Sequence, residues 1–456
     1  MRIIMHKLII GLTLVGFFAF TACEVDVVND PNNPSLGSVT ANASKAEMQV
    51  LMTGLEARHR GYVGNAAQMF GCFGREGYAF FGSDPRFLND WLGQGGNAET
   101  YPDFFASDGT YVDPYLAVKQ ANIVVQAATN SSNLTTEEAF GYTGFAKTIK
   151  GFQLLWPLMQ QYQNGIRVDV EQPLNPGPTL AFNEALAAIR GILNEGQTDL
   201  EKAGNSFAFT TTAGFAGFDT PAGMIKVNRA IAARVALYAG DYPGALTALN
   251  ASFMNLAASS PADLNVGPAH VYGNAPDENN PLFYPLDAPT STIYCVHPGL
   301  IEDALPNDGR VAAKFARRVN NPITDASLVN TATGMPIVGA YQDGRWATNI
   351  SPIPFIRNEE LILIYAEAQA RQGGDAETAI NTIRNIWGVG NYTGGTSTDE
   401  LIDEILFQRR YSLWLEGHRW VDMRRLGKLG EIDTREGGTI YTQVARRVSE
   451  IAWDEG

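Results

Sequence analysis

The chain is poor in cysteine, histidine and charge. Three Cys and five His stand among 456 residues. There is no CxxC, no HExxH and no Cys/His cluster, so the sequence gives no ground for a zinc centre. Only 18% of residues are charged while 45% are hydrophobic, the reverse of a disordered chain. Basic residues are scarce: 33 Lys and Arg face 48 Asp and Glu, a net charge of −15. Binding to nucleic acid needs clustered cations, so that class of partner is disfavoured. A membrane-spanning run is also lacking at the N-terminus. Leu8 to Phe20 is apolar, but as a helix it would reach only ~20 Å at ~1.5 Å per residue, short of a ~30 Å hydrocarbon core.

That run has another use. Arg2, His6 and Lys7 precede it, and Phe20-Thr21-Ala22-Cys23 ends it. This is the layout of a secretory signal over residues 1–22. Small residues directly before a Cys form a bacterial lipobox, so Cys23 is the expected lipidation site. Removing residues 1–22 deletes Arg2 and Lys7 and no acid, leaving a more acidic mature chain. Residues 23–45 begin acidic and rich in turn formers, and are expected to form a flexible tether. Residues 46–456 are expected to form one domain. Cys72 and Cys295 are then the remaining thiols; whether they pair stays open.

The body is expected to be mainly α. Leu116, Ala121, Val124, Val125 and Ala128 share one helical face, as do Phe182, Ala185, Leu186, Ile189, Ile192 and Leu193. Ser397 and Glu400 fit a capping box opening a helix that is expected to end at Gly417. Two hairpins look like copies. When Gly240-Asp241 is aligned with Gly374-Asp375, Ala232, Ala236 and Ala245 fall on Ala366, Ala370 and Ala379. Small residues at fixed positions beside a tight turn are the tetratricopeptide pattern, here an α-α superhelix. Lys147 to Gln163 with Leu180 to Leu200 is a further expected pair. Long insertions near 62–113, 202–222 and 255–350 interrupt the pairs and are expected to be mostly irregular. Their rings, among them Phe87, Phe104 and Phe105, argue for order.

One segment is specific. Gln408-Arg409-Arg410-Tyr411-Ser412-Leu413-Trp414-Leu415-Glu416-Gly417-His418-Arg419-Trp420-Val421-Asp422-Met423-Arg424 resembles the signature of the SusD/RagB family. Pro354 to Ala368, Ala379 to Arg384 and Tyr115 to Asn122 resemble further helices of that family. Gln408 and Ser412 depart from it where acids are common. The resemblance implies a SusD-like fold and a role without catalysis. It implies a lipoprotein on the surface of the outer membrane that captures a glycan, or a peptide, and hands it to a SusC-like TonB-dependent transporter. No cofactor is expected.

Competing readings are set beside this one. Glu416, His418, Arg419 and Asp422 invite a hydrolase reading, and a buried ion network is the bland one. A glycosidase needs two carboxylates about 5–5.5 or 6.5–9.5 Å apart, and the sequence singles out no such pair. Asp277-Glu278-Asn279-Asn280 offers oxygens to a structural calcium but lacks the spacing of an EF-hand loop. For a sugar, flat rings must pack on the apolar face of a pyranose, with polar groups at the rim. The loops offer Arg75, Tyr78, Phe81, Trp91, Tyr101, Tyr294, Tyr341 and Trp346 as candidate ligand residues. Trp156 and Trp414 are read as core.

Overall fold

The structure is a computed structural model and describes residues 36–455 apart from 96 and 173. The expected signal peptide and Cys23 lie outside the described residues. Where the tether was expected to continue, helix α1 runs over Leu36–Asn42 and Ser44 caps the next helix, α2 (Lys45–His59). The described end of that segment is therefore helical: Ser44 and Glu47 supply a full capping box. The chain goes on through α3 (Val63–Phe73), strand β1 (Gly77–Phe81), the short α4 (Arg86–Asn89), α5 (Val112–Asn130) and α6 (Thr136–Gln161). Then come α7 (Phe182–Glu201), α8 (Pro221–Tyr238) and α9 (Tyr242–Asn250).

The pairing of α6 with α7 depends on glycine. A Cβ on Gly144 would sit 2.9 Å from the Gly196 carbonyl, and one on Gly151 would meet the Leu193 side chain at 2.7 Å. The two backbones approach closely only because those positions are bare. In the α8–α9 hairpin the turn is Gly240 at φ +69, and Asp241 accepts a 3.0 Å bond from the Gly244 N–H. Its copy joins α10 (Asn358–Gln372) to α11 (Glu377–Ile386). Asp375 again accepts from the backbone three residues on, at Thr378, 3.0 Å. The left-handed residue there is Gly373, one position before the aligned Gly374. Leu363, Ala366 and Ala370 of α10 pack with Ile380 and Ile383 of α11 and with Ile402 and Ile405 of α12 (Thr398–Ser412).

Ser397 and Glu400 form the expected capping box of α12, but the helix stops at Ser412, not Gly417. Cations end it. Lys314 donates to the Tyr411 and Ser412 carbonyls, and Arg357 donates to the Ser412 carbonyl as well. These groups satisfy the terminal carbonyls and oppose the helix dipole. Arg310 donates to Ser412 Oγ at 3.0 Å, so the hydroxyl at this departure from the family pattern accepts from a buried guanidinium. The backbone then turns through Leu415 (φ +59) and Gly417 (φ +80) into α13 (Arg419–Arg425).

The insertions are less irregular than expected. They hold an antiparallel sheet built from β1, β2 (Thr292–Val296), β3 (Phe315–Arg317) and β4 (Tyr341–Asp343), in the order β1-β2-β4-β3. Phe81 pairs with Thr292, Cys295 with Gln342 and Arg317 with Tyr341. These strands have at most five residues each, too short for their alternation to stand out. Cys72 and Cys295 are both buried free thiols, and burial pushes each up to about 12.

Candidate functional site

Strand β1 reads Gly-Tyr-Ala-Phe-Phe. Side chains alternate, so Tyr78 and Phe80 face one side of the sheet and Phe81 the other. Phe81 ends the strand and is 37% exposed. The chain turns at Asp84-Pro85 into α4, which brings Phe87 back against Phe81 with ring centroids 4.6 Å apart. Phe105 meets Phe87 edge to face at 4.9 Å. The Arg86 guanidinium lies 4.1 Å over the Phe105 ring and gives two hydrogen bonds to Asp84, at 2.9 and 2.7 Å. Tyr101, in the same insertion, is 63% exposed. The result is a surface cluster of three phenyl rings and one stacked guanidinium.

Four of the eight candidates are corrected by burial. Arg75 forms an interior ion pair with Glu436 and donates to the Cys72 and Leu92 carbonyls at 2.8 Å. The Tyr78 hydroxyl donates to the same Glu436 at 3.1 Å. Trp91 is 1% exposed and donates to the Phe105 carbonyl, supporting the ring cluster from beneath. Tyr294 is buried against α3; a Cβ on Gly71 would lie 2.5 Å from its hydroxyl. Arg75, Tyr78 and Trp91 bind protein groups, and Tyr294 is packed in the interior. The reason lies far along the chain: Glu436 and the segment around it close over Arg75 and Tyr78. Phe81, Tyr101, Tyr341 and Trp346 remain accessible in whole or in part. The register brings the end of β1, at Phe81, to the same end of the sheet as the end of β4, which leads to Trp346. Tyr341 begins β4 and lies at the opposite end. Arg86, Phe87 and Phe105 were outside the candidate list; the density of rings in that insertion is the signal that points to them.

Trp346 borders a small cavity of about 40 Å³ between the sheet and the helices, with Tyr62, Trp156, Phe355 and Glu416 also in its wall. A water needs about 10–15 Å³ on this measure, so it has room for a few waters or a small substituent and not for a sugar ring. Arg345 is packed between Trp346 and Trp414, at 4.7 and 4.9 Å, and pairs with Asp343. Next to the cavity, Arg357 binds Glu416 at 2.8 Å and also Glu359. Asp422 binds Arg409 at 2.6 Å and Arg425 at 3.0 Å. His418 is buried and accepts or donates at 3.1 Å to the Tyr238 hydroxyl; burial holds it down, to about 4. The motif that invites a hydrolase reading is thus an interior network joining α8, α10, α12 and α13. Asp277 and Glu278, the carboxylates offered to calcium, pair with Arg60.

Glu76, just before β1, is a buried exception. Its Oε1 accepts from the Leu415 N–H at 3.1 Å, while Oε2 has no partner among the described residues. Burial raises its carboxyl to about 8, against the pull of the Leu415 bond and of Arg419. A folded pKa above the unfolded one means that its contribution to stability is complete below pH ~4.5 and is lost as the pH rises through about 8. Glu76→Gln should therefore flatten the decline of melting temperature between pH 5 and 8, read by differential scanning fluorimetry.

Residues 321–454 match the SusD family. No curated protein matches the sequence. Solved structures do match in fold. B. fragilis NanU superposes with a TM-score of 0.65 at 14% identity, covering 93% of this chain and 97% of that one. Surface glycan-binding protein A from Bacteroides thetaiotaomicron gives 0.65 at 14% identity, with 92% and 98% covered. A laminarin-binding SusD-like protein gives 0.60 at 16% identity, with 90% and 97% covered. In fold over most of its length, and in sequence over residues 321–454, the chain is SusD-like.

Proposed function

We propose that the protein captures a glycan at its surface without cleaving it. The observation that carries this reading is the surface cluster of exposed Phe81 and half-buried Phe87 and Phe105 with the stacked Arg86. Rings of this kind offer flat apolar area at low entropic cost, and the face of a pyranose fits them. Asp84, Arg86 and Tyr101 place polar groups at the rim. Two of the structures similar in fold are named for glycan or laminarin binding, which supports the ligand class. The carboxylates and the histidine of the 416–422 motif are engaged in the interior, which supports binding without hydrolysis.

The wider setting extends the same reading. Cys23 carries the lipid, the mature chain is held on the outer face of the outer membrane, and the captured glycan passes to a SusC-like TonB-dependent transporter. The lipobox and the SusD-like fold support this setting. Affinity electrophoresis of the purified protein against a polysaccharide and peptide panel, with reducing ends assayed in parallel, tests it. Retardation by a glycan with no new reducing ends is the expected result. New reducing ends would overturn the non-catalytic reading, and binding confined to peptides would overturn the ligand class.

A further inference from the structure

We infer that the ring cluster selects uncharged glycans over acidic ones, and that the Arg86–Asp84 pair sets this preference. The inference rests on the capture reading above and narrows its ligand. Recognition of a carboxylate or sulfate sugar calls for an uncommitted guanidinium or ammonium, because an arginine fork matches those oxygens two at a time. At the cluster the Nε/Nη2 edge of the guanidinium is already occupied, and its charge is balanced by Asp84. Arg86 gives one N–H to each oxygen of Asp84. Its backbone N–H also goes to Asp84 Oδ1, at 3.1 Å, so the pair is fixed from both ends. What faces solvent is a flat guanidinium, stacked on Phe105 and neutralised in its own plane.

Arg447, which reaches the segment after Phe105, pairs with Asp103 and Asp108, and Arg345, beside Trp346, pairs with Asp343. Residues 81–108 hold Asp84, Asp90, Glu99, Asp103 and Asp108 against one base, Arg86. The chain as a whole is at −15. An acidic polysaccharide approaching the cluster would meet a like-charged surface and an arginine whose charge Asp84 already balances. A neutral pyranose chain would meet rings and a planar polar edge.

Matched pairs of polymers test this on the whole protein: dextran with dextran sulfate, hydroxyethylcellulose with carboxymethylcellulose, and methyl-esterified pectin with polygalacturonate. On any backbone that binds, the neutral member should bind more tightly, by about tenfold at low salt, where repulsion acts in full. Added salt should leave that neutral binding unchanged. Asp84→Asn keeps an acceptor for the Arg86 backbone N–H but frees the guanidinium. It should raise binding of the acidic member and shrink the ratio by about fivefold. Equal or tighter binding of the acidic member to the unaltered protein would overturn the inference alone, as would a ratio unmoved by Asp84→Asn. Binding to no glycan at all would overturn the capture reading and this inference with it.

Discussion

Replacing Asp422 by alanine should destabilise the protein by about 3–5 kcal/mol, the usual result of leaving a buried charge without its partner. Arg409 and Asp422 are both 2% exposed at the side chain. Arg409 gives Asp422 two hydrogen bonds, and Arg425 adds a third. Arg425 retains Glu367 when Asp422 is removed, but among the described residues Arg409 has no other carboxylate in contact. Against a total stability of about 5–15 kcal/mol for a typical domain, such a loss is large. Urea unfolding, read with the slope held constant, gives the size directly. Arg409→Met combined with Asp422→Leu should recover most of the loss, because both ions then leave the interior together. A loss below ~1 kcal/mol for Asp422→Ala would mean that water reaches this network. Burial alone would raise the Asp422 carboxyl; the two guanidinium groups outweigh it and bring the carboxyl down to about 2. The folded value is depressed, so this stabilisation is present above pH ~3.8 and disappears as the pH falls through about 2.

The second large effect is on binding. Phe81→Ala with Phe105→Ala should weaken glycan binding by thirtyfold or more, about 2 kcal/mol, the scale at which buried aromatic anchors act. The two positions act differently. Phe81 removes ring area from the exposed edge. Phe105 removes the surface on which Arg86 lies, so the guanidinium loses its alignment as well. Trp91→Ala should behave differently from both. That ring sits under the cluster, 4.8 Å from Phe87, so its loss lowers the melting temperature along with the affinity. Tyr294→Phe removes a hydroxyl buried beside α3 and should leave affinity unchanged. Isothermal titration of the three variants on one glycan checks the pattern. Equal affinity of the Phe81/Phe105 double variant and the unaltered protein would place the ligand elsewhere.

The helical half was legible because its signals are local. Asp241 and Asp375 cap backbone groups three residues away, and Ser397 and Glu400 do the same. Such contacts repeat wherever the same short string occurs. The sheet was not legible, because β1 pairs with a strand more than two hundred residues later and neither strand is long enough to show a period. The aromatic candidates divide on the same ground. Tyr78 and Phe81 look alike in sequence, yet one turns inward to Glu436 and the other outward. Which of them a ligand meets depends on the strand's parity and on a segment near residue 436 that closes over one face. Ring density in residues 77–105 therefore points to the region of the proposed surface and cannot sort its members. The end of α12 shows the same limit: Gly417 looks like a helix terminator, but Lys314 and Arg357 end the helix five residues sooner.

The most direct measurement of the capture surface is hydroxyl-radical footprinting of the protein with and without a bound glycan, read by mass spectrometry. The account predicts protection concentrated at Phe81, Phe87, Tyr101 and Phe105, with Trp156 and Trp414 unchanged. Protection confined to the helical pairs, with these four side chains oxidised as fast as in the free protein, would contradict it.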